Sequence, residues 1–387
     1  MKIIAFILTL FVFFSCIIAC NGTTDENTSD NTQPITENID TEVEKDSVNL
    51  RVLSFNVRQD LVSVASILNS VSKNRVQAVR EQILSYEPDV IGLQEDIKIW
   101  VDNVGLKSKG YTEYLGVTEN IAKERCAIYV KQGIEVVENG YKWLTRDGTE
   151  STVALSYPEL TDGDGKYDMS FNDLLSISVI NDVSLTASYT DSAKNWGAKV
   201  NSRLMNYVVL NVNGEKVIYV NTHLQHRGYS DAAYSDHPLY MLRYYERCAQ
   251  LEVVCKNIDE IKQRYPEASV VITGDMNDTS YSGFYDKLTE TYKDSIKVAK
   301  KGSKLEHSWN AAFKVESQGQ GYVSENENKV SSRLDYCLVS ADLEDCVTFY
   351  QVGKTKWTLE KAEGTGKENV DVYPSDHLPI IVDIAIK

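Results

Sequence analysis

The sequence predicts an α/β layered sandwich, built as one long domain from about residue 50 to the end. Three observations predict it. Short apolar runs rich in Val and Ile recur from Leu50 onward and read as buried strands. Helical patterns fall between them, and no repeat or composition break divides the chain.

The elements follow in order. LRVLSFN is the first strand and ends at Asn56; Arg75–Tyr86 (RVQAVREQILSY) is an amphipathic helix that stops before Pro88. PDVIGLQE is the next strand, ending at Glu95. Arg146 to about Asn195 reads as a surface insertion, with a plausible strand pair in LLSISVINDVSLTASYT. Its TDGDGKYD stretch lacks the later Glu of a calcium loop, so it reads as a turn. VVLNVNGEKVIYV carries Asn213-Gly214 between two alternating runs, a hairpin signal, and its second run closes at His223 (VIYVNTH). Leu239–Tyr265 is a long helical pattern closed by Pro266. SVVITGDMN brings Asp275 and Asn277, and RLDYCLVS, CVTFYQV and PIIVDIAI return to strands.

What precedes residue 50 has a different character. MKIIAFILTLFVFFSCIIAC begins with a Lys and runs apolar to Cys20, as a secretory leader does. A membrane-spanning helix is the competing reading, but IIAC resembles a bacterial lipoprotein box, which makes 1–19 a signal peptide and Cys20 the lipidated residue. Residues 20–49 then form a polar, acidic tether without aromatics, the composition of a disordered spacer. The chain is therefore expected to be exported and lipid-anchored to a bacterial membrane, with its domain over 50–387.

The 387 residues are 42% hydrophobic and 25% charged, ordinary for a globular protein with a large core. The formal net charge is −16; the leader has one Lys and the tether eight acids against one Lys, which leaves −10 on the folded part. An acidic domain gains little from non-specific phosphate contacts, so an obligate nucleic-acid partner is disfavoured. Of seven cysteines, five lie beyond residue 49, with no CxxC pair, which excludes both a disulfide framework and a zinc site. Cys248 and Cys255 share one face of the long helix, and Cys337 and Cys346 are spaced to pair across a hairpin.

Polar groups of catalytic type collect where strands end: Asn56, Glu95, His223, Asp275, Asn277, Asp335, Asp376 and His377. Carboxylate oxygens suit a hard ion such as Mg²⁺ or Mn²⁺, and such an ion among histidines and amides serves phosphate chemistry. Each motif alone reads equally as a turn or strand end. Their order is specific. Asn56 closing the first strand, LQE after PDVI, NTHL, GDMN, RLDY and a near-terminal SDHLP resemble the endonuclease/exonuclease/phosphatase superfamily, the deoxyribonuclease I-like fold, over roughly Leu50 to Lys387.

That resemblance implies a four-layer α-β-β-α sandwich, two packed mixed β-sheets flanked by helices, and a divalent-metal phosphoester hydrolase. Residue by residue, it makes Glu95 the main metal ligand, with Asn56 close to metal and phosphate and Asp376 a metal-side acid. It places His377 against the phosphate, oriented by Asp335. Asp275 would activate the attacking water, Asn277 would hold a phosphate oxygen and His223 would donate to another. Whether Asp275 or His377 is the base stays open. In NWGAKVNSRLMNY, Trp196, Arg203 and Asn206 are the substrate-side candidates; Arg203 resembles a family arginine near the phosphate, and Asn206 replaces a common Thr.

Asp-His occurs twice. In SDHLP the Asp376-His377 pair precedes the last strand, where the family keeps its catalytic pair, whereas Asp236-His237 in SDHPL suits a helix entrance. Three functions remain in view. A phosphatase or phosphodiesterase for a small, sugar or lipid-linked phosphate fits the anchor, the acidic domain and the tyrosines Tyr229, Tyr234, Tyr240, Tyr244 and Tyr245. A surface nuclease would use Lys194, Lys199, Arg203 and Arg227. A catalytically silent binding lipoprotein is disfavoured because every metal and base position is retained.

Overall fold

The computed structural model describes residues 50–59, 70–117, 123–151, 202–226, 238–303, 307–310, 313–315, 322–324, 331–359 and 370–386. All of them fall in the compact unit Val43–Lys387. The leader with Cys20, most of the insertion with Lys194, Trp196 and Lys199, and the segment with Arg227, Tyr229, Tyr234 and Asp236-His237 lie outside them.

Strands β1 (Leu50–Asn56), β2 (Val90–Gln94), β3 (Tyr111–Tyr114) and β4 (Ile128–Lys131) come first. They are followed by β5 (Glu135–Trp143), β6 (Leu204–Val212), β7 (Glu215–His223), β8 (Ser269–Asp275), β9 (Lys293–Asp294) and β10 (Lys301–Gly302). Short pairs join β11 (Trp309–Asn310) to β14 (Ser331–Ser332) and β12 (Phe313–Val315) to β13 (Tyr322–Ser324). Then come β15 (Asp335–Val339), β16 (Val347–Val352), the pair β17 (Trp357–Leu359) and β18 (Val370–Val372), and β19 (Ile380–Ile384). Helices are α1 (Ser70–Ser85), α2 (Lys98–Val104), α3 (Pro238–Lys262) and α4 (Gly283–Thr291).

Two mixed sheets result, seven strands in the order β10-β16-β19-β1-β2-β4-β3 and six in the order β5-β6-β7-β8-β15-β9. Strand periodicity assigns their faces. On β7, Val217 and Tyr219 enter the core between the sheets, while Ile218 and Val220 face the core under α3. On β1, Val52 joins the inter-sheet core, and Leu53 and Phe55 pack with Val76, Val79 and Ile83 of α1. Three cores separate four layers, the predicted helix–sheet–sheet–helix sandwich. Strands buried on both faces explain why they read as nearly continuous apolar runs.

Local chemistry accounts for the joints. The β6–β7 hairpin turns at Asn213 (φ 55°) and Gly214 (φ 96°), and Val212 pairs with Glu215 across it. Both turn residues are left-handed, as a primed turn demands. Arg51 and Asp383 face each other across β1 and β19 and form a buried two-bond ion pair, Nε–Oδ1 2.6 Å and Nη2–Oδ2 2.7 Å. Cys126, Cys248, Cys255, Cys337 and Cys346 are free thiols, so the Cys337–Cys346 pairing is not formed; Cys337 sits on β15 and Cys346 ends a 3-10 turn. No helix among the described residues is long and apolar enough to cross a membrane.

Candidate active site

Register places the polar strand ends together. In the six-stranded sheet His223, Asp275 and Asp335 occupy one row, because His223 pairs with Asp275 across β7–β8 and Asp335 pairs with Asp275 across β8–β15. In the seven-stranded sheet Asn56 pairs with Gln94, and Ser54 pairs with Ile380, three residues after His377. The sheets face each other, so both sets meet at one edge of the sandwich. Gly274 (φ 153°) makes the β7–β8 approach possible, since any Cβ there would collide with the Thr222 carbonyl. Glu95 (φ 58°), Asn277 (φ 54°), Arg58 (φ 52°) and Cys126 (φ 43°) are all left-handed without being glycine. Such strain gathers where a site needs side chains aimed off the regular ladder.

Asp275 is the centre. Its Oδ2 accepts from Asn56 Nδ2 at 2.9 Å and lies 3.5 Å from His223 Nε2 and 3.7 Å from His377 Nε2. Its Oδ1 accepts the Asn277 N–H at 2.8 Å. Each imidazole is backed by a carboxylate: His377 Nδ1 donates to Asp335 Oδ2 at 2.8 Å, and His223 Nδ1 to Glu124 Oε1 at 2.8 Å. With Nδ1 donating, His223 Nε2 accepts from Asn277 Nδ2 at 2.8 Å.

Electrostatics divides the pair. Burial works against a charged His377, but the Asp335 and Asp275 carboxylates outweigh it and hold its pKa up, at about 10. Burial likewise opposes charge on Asp275, and here His377, His223 and the Asn56 and Asn277 donors prevail, leaving its pKa below the ordinary value. The arrangement therefore favours imidazolium beside carboxylate.

Glu95 and Asp376 stand beside this centre. Glu95 Oε1 accepts from Asn56 Nδ2 at 3.1 Å and Oε2 accepts the Gln59 N–H at 2.7 Å. Asp376 Oδ2 takes the Arg58 guanidinium at 2.8 Å, and the Arg58 N–H donates to Asn56 Oδ1 at 2.9 Å. Arg75 of α1 clamps these loops through the Val57, Arg58 and Pro374 carbonyls, its guanidinium 4.7 Å from the Trp100 ring centre. Ser375 Oγ donates to the Asn56 carbonyl at 2.8 Å. Two carboxylates and an amide, all oxygen donors, fit a hard divalent ion. Asp275, Asp335 and His377 also bring ligand atoms within 4.8 Å of one another. Within that trio His377 Nδ1 and Asp335 Oδ2 already bond each other.

Four contributors escaped sequence reasoning. Glu124 (KERCAIYV) accepts the Glu95 N–H at 2.8 Å and the Arg203 Nη1 at 2.8 Å, besides serving His223. Burial would raise its pKa, but His223 and Arg203 lower it to about 2. Ser308 donates to Asp335 Oδ2 at 2.6 Å, delivered by a segment whose Trp309 bridges to His377. Arg58 caps Asp376. Asp278 anchors the GDMN turn through a fully buried pair with Arg247 of α3, Nη2–Oδ2 2.5 Å. Only the acidic letter before β4 and the extra Asp after GDMN signalled any of this. Arg203 Nη1 thus reaches the site at Glu124 Oε2 and also lies 2.8 Å from His223 Nδ1. Asn206 is buried and donates to the Tyr114 and Cys126 carbonyls, bracing the sheets. Tyr244 is half-buried and packs against the apolar core under α3.

A profile of the Endonuclease/Exonuclease/phosphatase family matches residues 53–377. No curated protein matches the chain. Among solved structures, a mannosyl-6-phosphatase of Bacteroides thetaiotaomicron is similar at 19% identity and TM-score 0.58, over 87% of this chain and 100% of that one. An endonuclease/exonuclease/phosphatase family protein of the same organism aligns at 18% and 0.58, over 87% and 98%. Truncated Caenorhabditis elegans TDP2 aligns at 17% and 0.51, over 87% and 97%.

Proposed function

The chain belongs to the endonuclease/exonuclease/phosphatase family, and on that premise we propose that it hydrolyses a small or lipid-linked phosphoester by in-line attack of an activated water. The carrying observation is Asp275, buried, bonded to Asn56 and set between two imidazoles that are each backed by a carboxylate.

The geometry supports a division of labour. Asp275 is held ionised, so its Oδ2 takes the proton of the attacking water. His377, held protonated by Asp335, donates from Nε2 to a phosphate oxygen and then to the leaving group. Asn277 Nδ2 donates to a remaining phosphate oxygen, and His223 donates to another from Nε2 in its imidazolium form, with a ligand displacing its contact with Asn277. Glu95, Asn56 and Asp376 would hold Mg²⁺, with Mn²⁺ as its nearest substitute; when bound, the ion neutralises phosphate oxygens and polarises phosphorus. Arg58 would then exchange Asp376 for the substrate's phosphate.

A sugar phosphate is the substrate class best supported, because a similar fold is a mannosyl-6-phosphatase and the chain's net charge of −16 disfavours long polyanions. The apolar leader ending in Cys20 supports placement at a membrane surface.

The test incubates the purified protein and Mg²⁺ with mannose 6-phosphate, a chromogenic monoester, its bis-ester and plasmid DNA. Chelator-sensitive release of phosphate from the sugar ester, lost by at least about a hundredfold in Asp275→Asn, is expected. Nicked plasmid with intact esters would instead make the chain a nuclease, and turnover that survives the substitution would sink the assignment of Asp275.

A further inference from the structure

Around Asp335 and β9 lies a set of buried polar atoms that the site does not use. Asp335 spends Oδ2 on His377 and Ser308, while its Oδ1 is buried and meets no hydrogen-bond partner among the described residues. The same holds for Tyr350 Oη, Arg333 Nε, Arg333 Nη2 and Asp294 Oδ1. All four residues are at most 4% exposed. Arg333 and Asp294 join at 2.7 Å, and the other donor on that same Asp294 oxygen is Tyr285 Oη, at 2.7 Å. The guanidinium lies 4.5 Å from the Tyr336 ring centre. Tyr350 stands on β16 of one sheet, Asp335 on β15 of the other, and the charges of Arg333, Asp294 and Asp335 all bear on its hydroxyl.

Five buried polar atoms left without any partner would together cost a free energy comparable to a domain's whole stability. Buried polar groups that side chains do not satisfy are satisfied by ordered water. The set mixes donors (Arg333, Tyr350) with acceptors (Asp335, Asp294), which suits water and disfavours a lone anion or cation. We infer that ordered waters bridge these buried atoms and that Tyr350 and Arg333 act through them as positioning residues, fixing the Asp335 carboxylate that orients His377. The positioning half rests on the proposed role of His377; the water half does not.

The first arm is a crystal structure of the full chain at a resolution that shows ordered solvent. A water within hydrogen-bond reach of Asp335 Oδ1 and of Tyr350 Oη or Arg333 is expected. Absence of such a water, or a direct Tyr350–Asp335 bond, overturns the inference. The second arm compares wild type with Tyr350→Phe by the low-field proton resonance of His377 Nδ1–H. The resonance should move, and where a phosphoester is turned over, kcat should fall about tenfold at constant KM. An unmoved resonance in a folded Tyr350→Phe protein overturns the positioning role. Should that variant not fold, Arg333→Lys, which retains a cation for Asp294, takes its place. Absence of any turnover would count against the proposed hydrolysis and leave the solvent and resonance arms to decide the inference.

Discussion

At the residue scale, the site works by pairing each imidazole with its own acid. Asp335→Asn should bring the His377 pKa down from about 10 toward the ordinary histidine value, because the largest charge holding it up is gone while burial still opposes it. A histidine NMR titration reads that directly, and an unmoved midpoint would assign the shift elsewhere. Glu124 makes a second prediction, of opposite sign. Its folded-state pKa, about 2, lies below its unfolded value, so its contribution is complete above about pH 4.5 and is lost as pH falls toward 2. A shift of that size is worth on the order of 3 kcal/mol. Urea unfolding from pH 5 to pH 2 should therefore show a shallower loss of stability in Glu124→Gln than in wild type, and parallel curves would contradict the assignment.

At the scale of elements, two tertiary joints hold the GDMN turn. Arg247 on α3 reaches Asp278, a pair with no exposure on either side. Arg247→Ala strands a buried carboxylate and should cost about 3–5 kcal/mol in chemical denaturation; a loss below about 1 kcal/mol would mean that Asp278 finds another partner. Gly274 is the other joint. Gly274→Ala forces β7 and β8 apart at Thr222 and should depress both stability and hydrolysis, whereas Gly214→Ala, in the exposed hairpin, should cost only about 1 kcal/mol and leave hydrolysis intact. Similar effects on activity from both would detach the β7–β8 approach from catalysis.

For the whole molecule, three apolar cores carry the fold, and the proposed ion ligands Glu95, Asn56 and Asp376 lie outside them. Chelation should then remove activity while far-UV circular dichroism stays unchanged. Mg²⁺ at about a hundred times its Kd should add about 2.7 kcal/mol of stability by mass action. Glu95→Ala should abolish that increment, as read by thermal shift, and a retained increment would place the ion elsewhere. The strongly acidic balance, −16, makes this readout sensitive to bulk salt, so it belongs at constant ionic strength.

Strand runs, the long helix and the Asn213-Gly214 hairpin were legible in the sequence because each is written locally, in periodicity and in the few residues that tolerate a left-handed turn. So were the polar residues at strand ends, Asn56, Glu95, His223, Asp275, Asp335 and His377, whose order was read through the family resemblance. What tertiary structure alone decided is which group faces which. Glu124 backs His223 from 99 residues away, and Arg58 meets Asp376 across 318. Ser308, just ahead of β11, and Tyr350 of β16 reach the Asp335 environment, and Cys337 and Cys346 stay apart. Partners of this kind leave no periodic trace, because a hydrogen bond across two sheets constrains distance in space and says nothing about spacing along the chain.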